Sequence, residues 1–283
     1  MTIAYLNGNF LPLEHAHISV LDRGFIFGDG VYEVIPVYAG KALRLQEHLQ
    51  RLERSLAGIE LSNPLPRSEW ENIITNLIAR NDGGDQSIYL HITRGVAPRN
   101  HNFPAEIKHT IFLMSQPFKD PEPSTGAKAI TLPDNRWQRC DIKAISLLSN
   151  VLLRQHAVEH GAIESILIRD GKVTEGAASN VFIVEQGVVI TPPEGAFILT
   201  GVTRDLILEV LQAADLPCRV ADISEQQLRQ AQEIWVTSST REIIPITTLD
   251  GQPVGNGQRG TMWETTWNLF QTYKKKLRQI SDK

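Results

Sequence analysis

Cysteine is scarce in this chain: Cys140 and Cys218 are the only two in 283 residues. With no sign of export they are expected as free thiols, which excludes a disulfide-built scaffold. Long apolar runs are missing too. No stretch of about 18 apolar residues occurs, so no membrane-spanning helix is expected. The opening Met1-Thr2-Ile3-Ala4-Tyr5-Leu6-Asn7-Gly8 reads as strand and turn, without the charged start and apolar core of a secretory signal. A cytoplasmic protein is the expectation. Nor is positive charge in excess: 28 Lys and Arg against 32 Asp and Glu leave a net charge of −4. No basic face is offered to nucleic acid, so any phosphate contact must be local. Internal repeats and low-complexity tracts are absent. What is present, 42% hydrophobic and 21% charged residues, is the composition of a soluble globular protein. Its length suffices for one large domain or two ordinary ones with substantial cores.

Strand and helix signals alternate through the first hundred or so residues. Ile3 to Leu6 and Phe10 to Pro12 flank Asn7-Gly8, a strong hairpin signal. Val31 to Tyr38 alternates as a strand, which sends Tyr32 and Glu33 to opposite faces. Leu45, Leu49, Leu52 and Leu56 recur at helical spacing, as do Trp70, Ile73, Ile74, Leu77 and Ile78. Strands over Ser87 to Thr93 and Thr110 to Ser115 follow. The stretch from Gln116 to Gly126 is dense in proline and charge and reads as an interdomain linker. Beyond it the pattern predicts a strand near Ala127 to Leu132, a helix over Leu147 to His160 and a hairpin turning at Asp170-Gly171. Strands near Val181 to Val184 and Val188 to Ile190, a helix over Arg204 to Ala214 and a strand over Ile234 to Thr237 come next. The tail carries Trp263, Trp267, Phe270 and Tyr273 at helical spacing, a face for packing. The expected fold is α/β (α+β) in two domains: an N-terminal domain over 1–116, a linker over 117–126 and a C-terminal domain over 127–283 that contains Lys143. A cleft between two domains is the default place for a ligand.

Two residues carry the most chemistry. Lys143 lies in Arg139-Cys140-Asp141-Ile142-Lys143, and Glu175 at the end of a hairpin strand in Thr174-Glu175-Gly176-Ala177-Ala178-Ser179-Asn180. A lysine able to form an imine, followed by an acid so placed, suits an enzyme that holds and polarises a pyridoxal group. Neither residue alone says much, since surface lysines mostly solvate and a turn glutamate is common. Cys140 lies close to Lys143 but is expected to pack. Gly201-Val202-Thr203-Arg204 opens a helix, where free amides and the positive dipole end favour an anion. Ser238 and Ser239 follow an apolar strand, a natural place for hydroxyls at a cleft. Thr203 reads equally as a helix cap, and the serines as a plain turn. His48 and Arg51 share a helix face. In Pro98-Arg99-Asn100-His101, the arginine and histidine are two apart and project to one side of an extended loop; the arginine's planar fork suits a carboxylate.

These segments, with Asp22-Arg23-Gly24, Gly28-Asp29-Gly30-Val31-Tyr32-Glu33, His48 to Leu52, Thr93-Arg94-Gly95 and Gly201 to Arg204, run almost end to end along the chain. It resembles the fold-type IV pyridoxal-phosphate enzymes, most closely the D-amino-acid aminotransferases. The resemblance implies pyridoxal 5'-phosphate as cofactor and Lys143 as the catalytic Schiff-base residue, which would also carry the proton between substrate and cofactor. That role needs a neutral amine, favoured by desolvation or nearby positive charge. It implies Glu175 against the ring nitrogen, and Arg51, Val202, Thr203, Ser238 and Ser239 around the phosphate, with His48 supporting Arg51. Tyr32, Arg99 and His101 would hold the substrate α-carboxylate; no metal is implied. Asn100 and Val96-Ala97 depart from the family pattern, which bears on side-chain preference. The implied reaction is transamination between D-alanine or a similar D-amino acid and 2-oxoglutarate, in a homodimer. An aminodeoxychorismate lyase is the alternative; an (R)-amine or an L-branched-chain aminotransferase is a further one. A catalytically silent binding module sits poorly with Lys143 and Glu175 both present.

Overall fold

In the computed structural model, which describes residues 2–279, the chain divides into two compact units. The first comprises Met1–Asp120, Ile142–Ser146 and Leu277–Lys283. Its strands are β1 (Ile3–Leu6), β2 (Asn9–Pro12), β3 (Gly30–Tyr38), β4 (Lys41–Ala42), β5 (Gln86–Thr93) and β6 (Thr110–Pro117). Its helices are α1 (Arg23–Phe27), α2 (Leu45–Gly58) and α3 (Arg67–Arg80). The six strands form one antiparallel sheet in the order β2-β1-β6-β5-β3-β4. The β1–β2 hairpin turns at Asn7 (φ 47°) and Gly8 (φ 97°). Both angles are positive, so the turn twists with its strands, which is why Asn-Gly signals a hairpin.

One sheet face packs on α2 and α3. Ile35, Leu90 and Leu113 from the strands meet Leu52, Trp70 and Leu77 from the helices in one buried cluster. Burying apolar area at about 25 cal/mol per Å² makes such a cluster the main stabilising term. The leucine and tryptophan periodicities of the sequence are thus core faces.

The second unit comprises Pro121–Asp141 and Leu147–Lys276. Its strands are β7 (Ala127–Pro133), β8 (Glu164–Arg169), β9 (Lys172–Gly176), β10 (Asn180–Glu185), β11 (Val188–Thr191), β12 (Cys218–Val220), β13 (Glu233–Ser238), β14 (Glu242–Leu249) and β15 (Gln252–Pro253). Its helices are α4 (Leu148–Glu159), α5 (Val202–Ala213), α6 (Glu225–Gln230) and α7 (Thr261–Gln279), whose last residues group with the first unit. The sheet is mixed, in the order β12-β11-β10-β13-β14-β7-β8-β9 with β15 on β14. The β8–β9 hairpin turns at Asp170 and Gly171, again with two positive φ angles. Trp263, Trp267 and Phe270 of α7 are buried, as packing residues should be.

Strands β7 and β8 pair in parallel, so the chain between them must cross over rather than turn back. Residues 142–146 lie within that crossover but group with the first unit. They add to the edge of β3: Val31 bridges Ala144 antiparallel, Tyr32 N donates to Lys143 O at 3.0 Å and Ile145 N to Gly30 O at 3.1 Å. The expectation that Lys143 belongs to the C-terminal domain is corrected here. A five-residue strand addition has no periodicity of its own, so the sequence pattern cannot show which sheet receives it.

Candidate active site

In the first unit, strand pairing opposite Tyr32 brings Lys143 to that residue. The Lys143 Nζ lies 4.1 Å from the centre of the Tyr32 ring, and the Lys143 backbone N donates to Ser55 Oγ at 3.1 Å. Ser55 stands on α2 in line with His48 and Arg51, all three buried; their spacing of three and four residues makes them one row along the helix. Glu33, on the sheet face opposite Tyr32, meets that row. It accepts from Arg51 Nε and Nη2, each at 2.8 Å, and lies 2.8 Å from His48 Nδ1.

Burial alone would raise the Glu33 carboxyl, but the Arg51 charge and the hydrogen bonds of Arg51 and His48 outweigh it and hold it well below the usual range. Burial lowers His48, and the charges of Arg51 and Lys143 add to this against the pull of Glu33. His48 therefore supports Arg51 through a shared carboxylate. Beside Tyr32, the Tyr89 ring lies at 5.9 Å and the Tyr89 hydroxyl is 2.8 Å from His91 Nδ1. Burial pushes Tyr89 up to about 12 and His91 down. A neutral hydroxyl donating to a neutral imidazole is the consistent arrangement.

Arg99 and His101 do converge, but on Phe27: the Arg99 guanidinium lies 5.5 Å and the His101 ring 5.4 Å from the Phe27 ring centre. Both are exposed. Among the described residues neither hydrogen-bonds Tyr32, so the three expected carboxylate ligands form two groups within this chain.

In the second unit, Glu175 is the next-to-last residue of β9 and its side chain is buried. One oxygen pairs with Arg136 and the other accepts from Asn180 Nδ2 at 3.2 Å and from the Leu199 amide at 3.1 Å. Arg136 is held in turn by Asp134, through Nε and Nη2 at 2.9 Å each, and by the Phe197 carbonyl. Burial raises the Glu175 carboxyl more than Arg136 lowers it, and the group sits at about 7. Asn180, opposite Thr237 in the β10–β13 pairing, also donates to the Leu199 carbonyl at 2.8 Å. It lies against Gly201, where an added Cβ would overlap Asn180 Oδ1. Gly201 begins α5 with no side-chain cap. Val202 and Thr203 are its first, buried residues, while Ser238 ends β13 and Ser239 follows in the turn. Burial pushes the Cys140 thiol up to about 11, which fits a packing role and not a reactive one. Neither cysteine forms a disulfide.

The amino-transferase class IV family model matches residues 30–249. The chain belongs to the class IV aminotransferases. This aminotransferase is 39% identical over 276 residues to the D-alanine aminotransferase of Staphylococcus epidermidis, covering 96% of this chain and 98% of that one. It is 40% identical over 260 residues to the D-alanine aminotransferase of Listeria monocytogenes, covering 90% of each. Among solved structures it is similar to the branched-chain amino acid aminotransferase of Escherichia coli, with TM-score 0.88, 26% identity and coverage of 95% and 92%. It is similar also to the T.th. branched-chain amino acid aminotransferase complexed with N-(5'-phosphopyridoxyl)-L-glutamate, with TM-score 0.90, 25% identity and coverage of 98% and 95%. The fold-type IV architecture expected from the sequence is therefore the fold of this aminotransferase.

Arg136 and Ser55 join these clusters without a motif in the sequence that singles them out, while Asn180 and Glu33 stand in sequence motifs without a role read for them. Glu33 has one usable signal, an acid on the inward face of a strand beside a His-Arg helix row. Arg136, 39 residues before Glu175, has none.

Proposed function

We propose that this aminotransferase uses pyridoxal phosphate to transfer the amino group between a D-amino acid, D-alanine or a close analogue, and 2-oxoglutarate. The observation that carries this is near full-length similarity to D-alanine aminotransferases. The chain's own residues suit the cofactor. The buried Thr237 Oγ1 has no hydrogen-bond partner among the described residues, Gly201 opens α5 without a cap, and a buried carboxyl stands nearby on Asn180. An anion at a helix start beside an orphaned hydroxyl is a favourable arrangement.

In this reading Val202, Thr203, Ser238 and Ser239 hold the phosphate with Arg51, whose guanidinium plane is fixed by Glu33. Glu175 would stand against the ring nitrogen and favour its protonated form. The cofactor, when bound, supplies an electron sink for the pair left at the substrate α-carbon. Lys143 would hold the cofactor through Nζ and, once the substrate amine has displaced it, the freed neutral Nζ would take the proton from the substrate α-carbon and pass it on. Tyr32, Arg99 and His101 bind the substrate α-carboxylate.

A homodimer completes the proposal. Exposed apolar side chains cluster in the first unit at Val20, Leu21, Phe25, Val96 and Phe103, and α4 exposes Leu148, Val151 and Leu152 on one face. Such patches are usually covered by a partner.

The test is a panel of D- and L-amino acids with 2-oxoglutarate, with pyruvate release from aminodeoxychorismate followed in parallel and Lys143→Ala as the inactive control. D-alanine is expected as a good donor, consuming the oxo acid. Preference for L-leucine or L-valine would move the enzyme to the branched-chain reading. Pyruvate release without an acceptor would move it to the lyase.

A further inference from the structure

The loop that carries Arg99 and His101 is clamped from behind by a three-residue ion network. Asp29 receives two arginines: its Oδ2 accepts from Arg23 Nε at 2.7 Å and from Arg94 Nε at 2.9 Å, and its Oδ1 accepts from Arg94 Nε at 3.1 Å. The far end of Arg23 is spent on the loop backbone. Its Nη1 donates to the carbonyls of Asn100 at 2.6 Å and Asn102 at 3.2 Å, and its Nη2 reaches the His101 carbonyl at 3.5 Å. Arg94 takes the other side, with its guanidinium 3.7 Å from the centre of the Phe103 ring. Its remaining nitrogens donate to the carbonyls of Glu60 at 3.1 Å and Ile59 at 2.6 Å, which tie it to the end of α2. Both arginines are almost wholly buried, whereas Arg99 and His101 are exposed.

We infer that Asp29, acting through Arg23 and Arg94, is a positioning residue that sets where Arg99 and His101 stand, and so how tightly the substrate carboxylate is held. Two features point this way. A guanidinium offers its donors in a rigid fork, so fixing Nε on Asp29 fixes the direction of Nη1 and hence the place of two loop carbonyls. Arg23 also stacks on Phe27, at 4.9 Å from the ring centre, the ring on which Arg99 and His101 converge. One side chain thus aligns both the backbone and the platform of the loop. The inference rests on the reading of Arg99 and His101 as carboxylate ligands.

Asp29→Asn and Arg23→Lys test it in the holoenzyme. The first keeps the shape but removes the charge that gathers the two arginines. The second keeps a charge for Asp29 but cannot reach Asp29 and the loop carbonyls together. Displacing binding groups by about 1 Å can cost on the order of a hundredfold. Each variant is expected to raise KM for D-alanine and for 2-oxoglutarate roughly tenfold to a hundredfold, with kcat and the cofactor absorbance little changed. Deuterium uptake in the peptide over residues 96–106 should rise in both. In an Arg99→Ala background Asp29→Asn should add little to KM, because the two act on one contact. Unchanged uptake over 96–106 overturns the clamp. Raised uptake with unchanged KM also overturns it, provided Arg99→Ala itself raises KM. If Arg99→Ala leaves KM unaltered, the carboxylate assignment fails instead, and the uptake measurement alone decides whether Asp29 orders the loop.

Discussion

Glu175 is a carboxyl caught between two demands. Burial favours its neutral form, Arg136 its ionised one, and it sits at about 7 against an ordinary 4.5. A group so poised can share its proton with a ring nitrogen at physiological pH. Glu175→Gln is expected to keep the cofactor but slow turnover by on the order of a few hundred-fold, the typical loss of one aligned electrostatic contact in a dry site. The same shift has a consequence for the cofactor-free protein. Because the folded state holds this proton more tightly than the unfolded chain, Glu175 costs stability progressively as pH rises from 4.5 to about 7. The ceiling is about 3 kcal/mol at 1.36 kcal/mol per pKa unit. His48, lowered by burial from 6.5, gives the opposite slope below that pH, so the difference between native protein and Glu175→Gln isolates the effect. Urea midpoints of the two at pH 5 and pH 8 should diverge, with the variant gaining at the higher pH; equal midpoints at both would place the Glu175 carboxyl in its ordinary range. The pair Lys143 and Glu175 is legible in the sequence because each stands in a short, ordered motif. Arg136 is not, since the contact that gives it meaning spans 39 residues and a coil segment without periodicity.

Elements are legible where a repeating pattern meets a packing face. Leu49, Leu52 and Leu56 of α2 and Trp263, Trp267 and Phe270 of α7 are buried as their spacing requires, with Leu45 and Tyr273 half-buried at the ends of the two rows. What spacing cannot show is how an element is held at its ends. The first turn of α7 is capped from β13, whose Glu233 accepts the amides of Met262 and Trp263 at 3.0 and 2.9 Å. The start of α5 differs, having Gly201 and no cap. Thr203 reads as a cap in the sequence, yet the cap position belongs to Gly201, and the helix begins two residues earlier than its apolar pattern suggests. Gly201→Ala is expected to push Asn180 away, since its oxygen occupies the place of the new methyl. Such overpacking typically costs about 1–3 kcal/mol. Because Asn180 also holds Glu175, affinity for pyridoxal phosphate should fall with it. A fluorescence titration of the cofactor-free variant checks this; native affinity would mean that the start of α5 lies away from the phosphate.

At the scale of the whole molecule, the exposed apolar face of α4 can be tested directly. Leu148, Val151 and Leu152 are 73%, 58% and 54% exposed, and the last two lie three and four residues after the first, so they share one face with it. Sedimentation at micromolar concentration is expected to give twice the mass of one chain. Leu148→Glu combined with Leu152→Glu should shift it toward one, since a charge on each side of a closed apolar contact is left unpaired. A native protein that sediments as a single chain would remove the dimer from the proposal.

The strand addition at residues 142–146 has a meaning in time as well as in space. The chain is made from its N-terminus at about 5–20 residues per second, and domains ordinarily fold as they emerge. Here the first 120 residues cannot finish their unit, for the edge of β3 at Gly30 to Tyr32 is closed only by residues synthesised after β7. An unpaired edge invites pairing with another chain. The nascent protein therefore carries an open edge until Lys143 itself has been made, and the residue read as the catalytic amine is also part of the segment that ends this exposure.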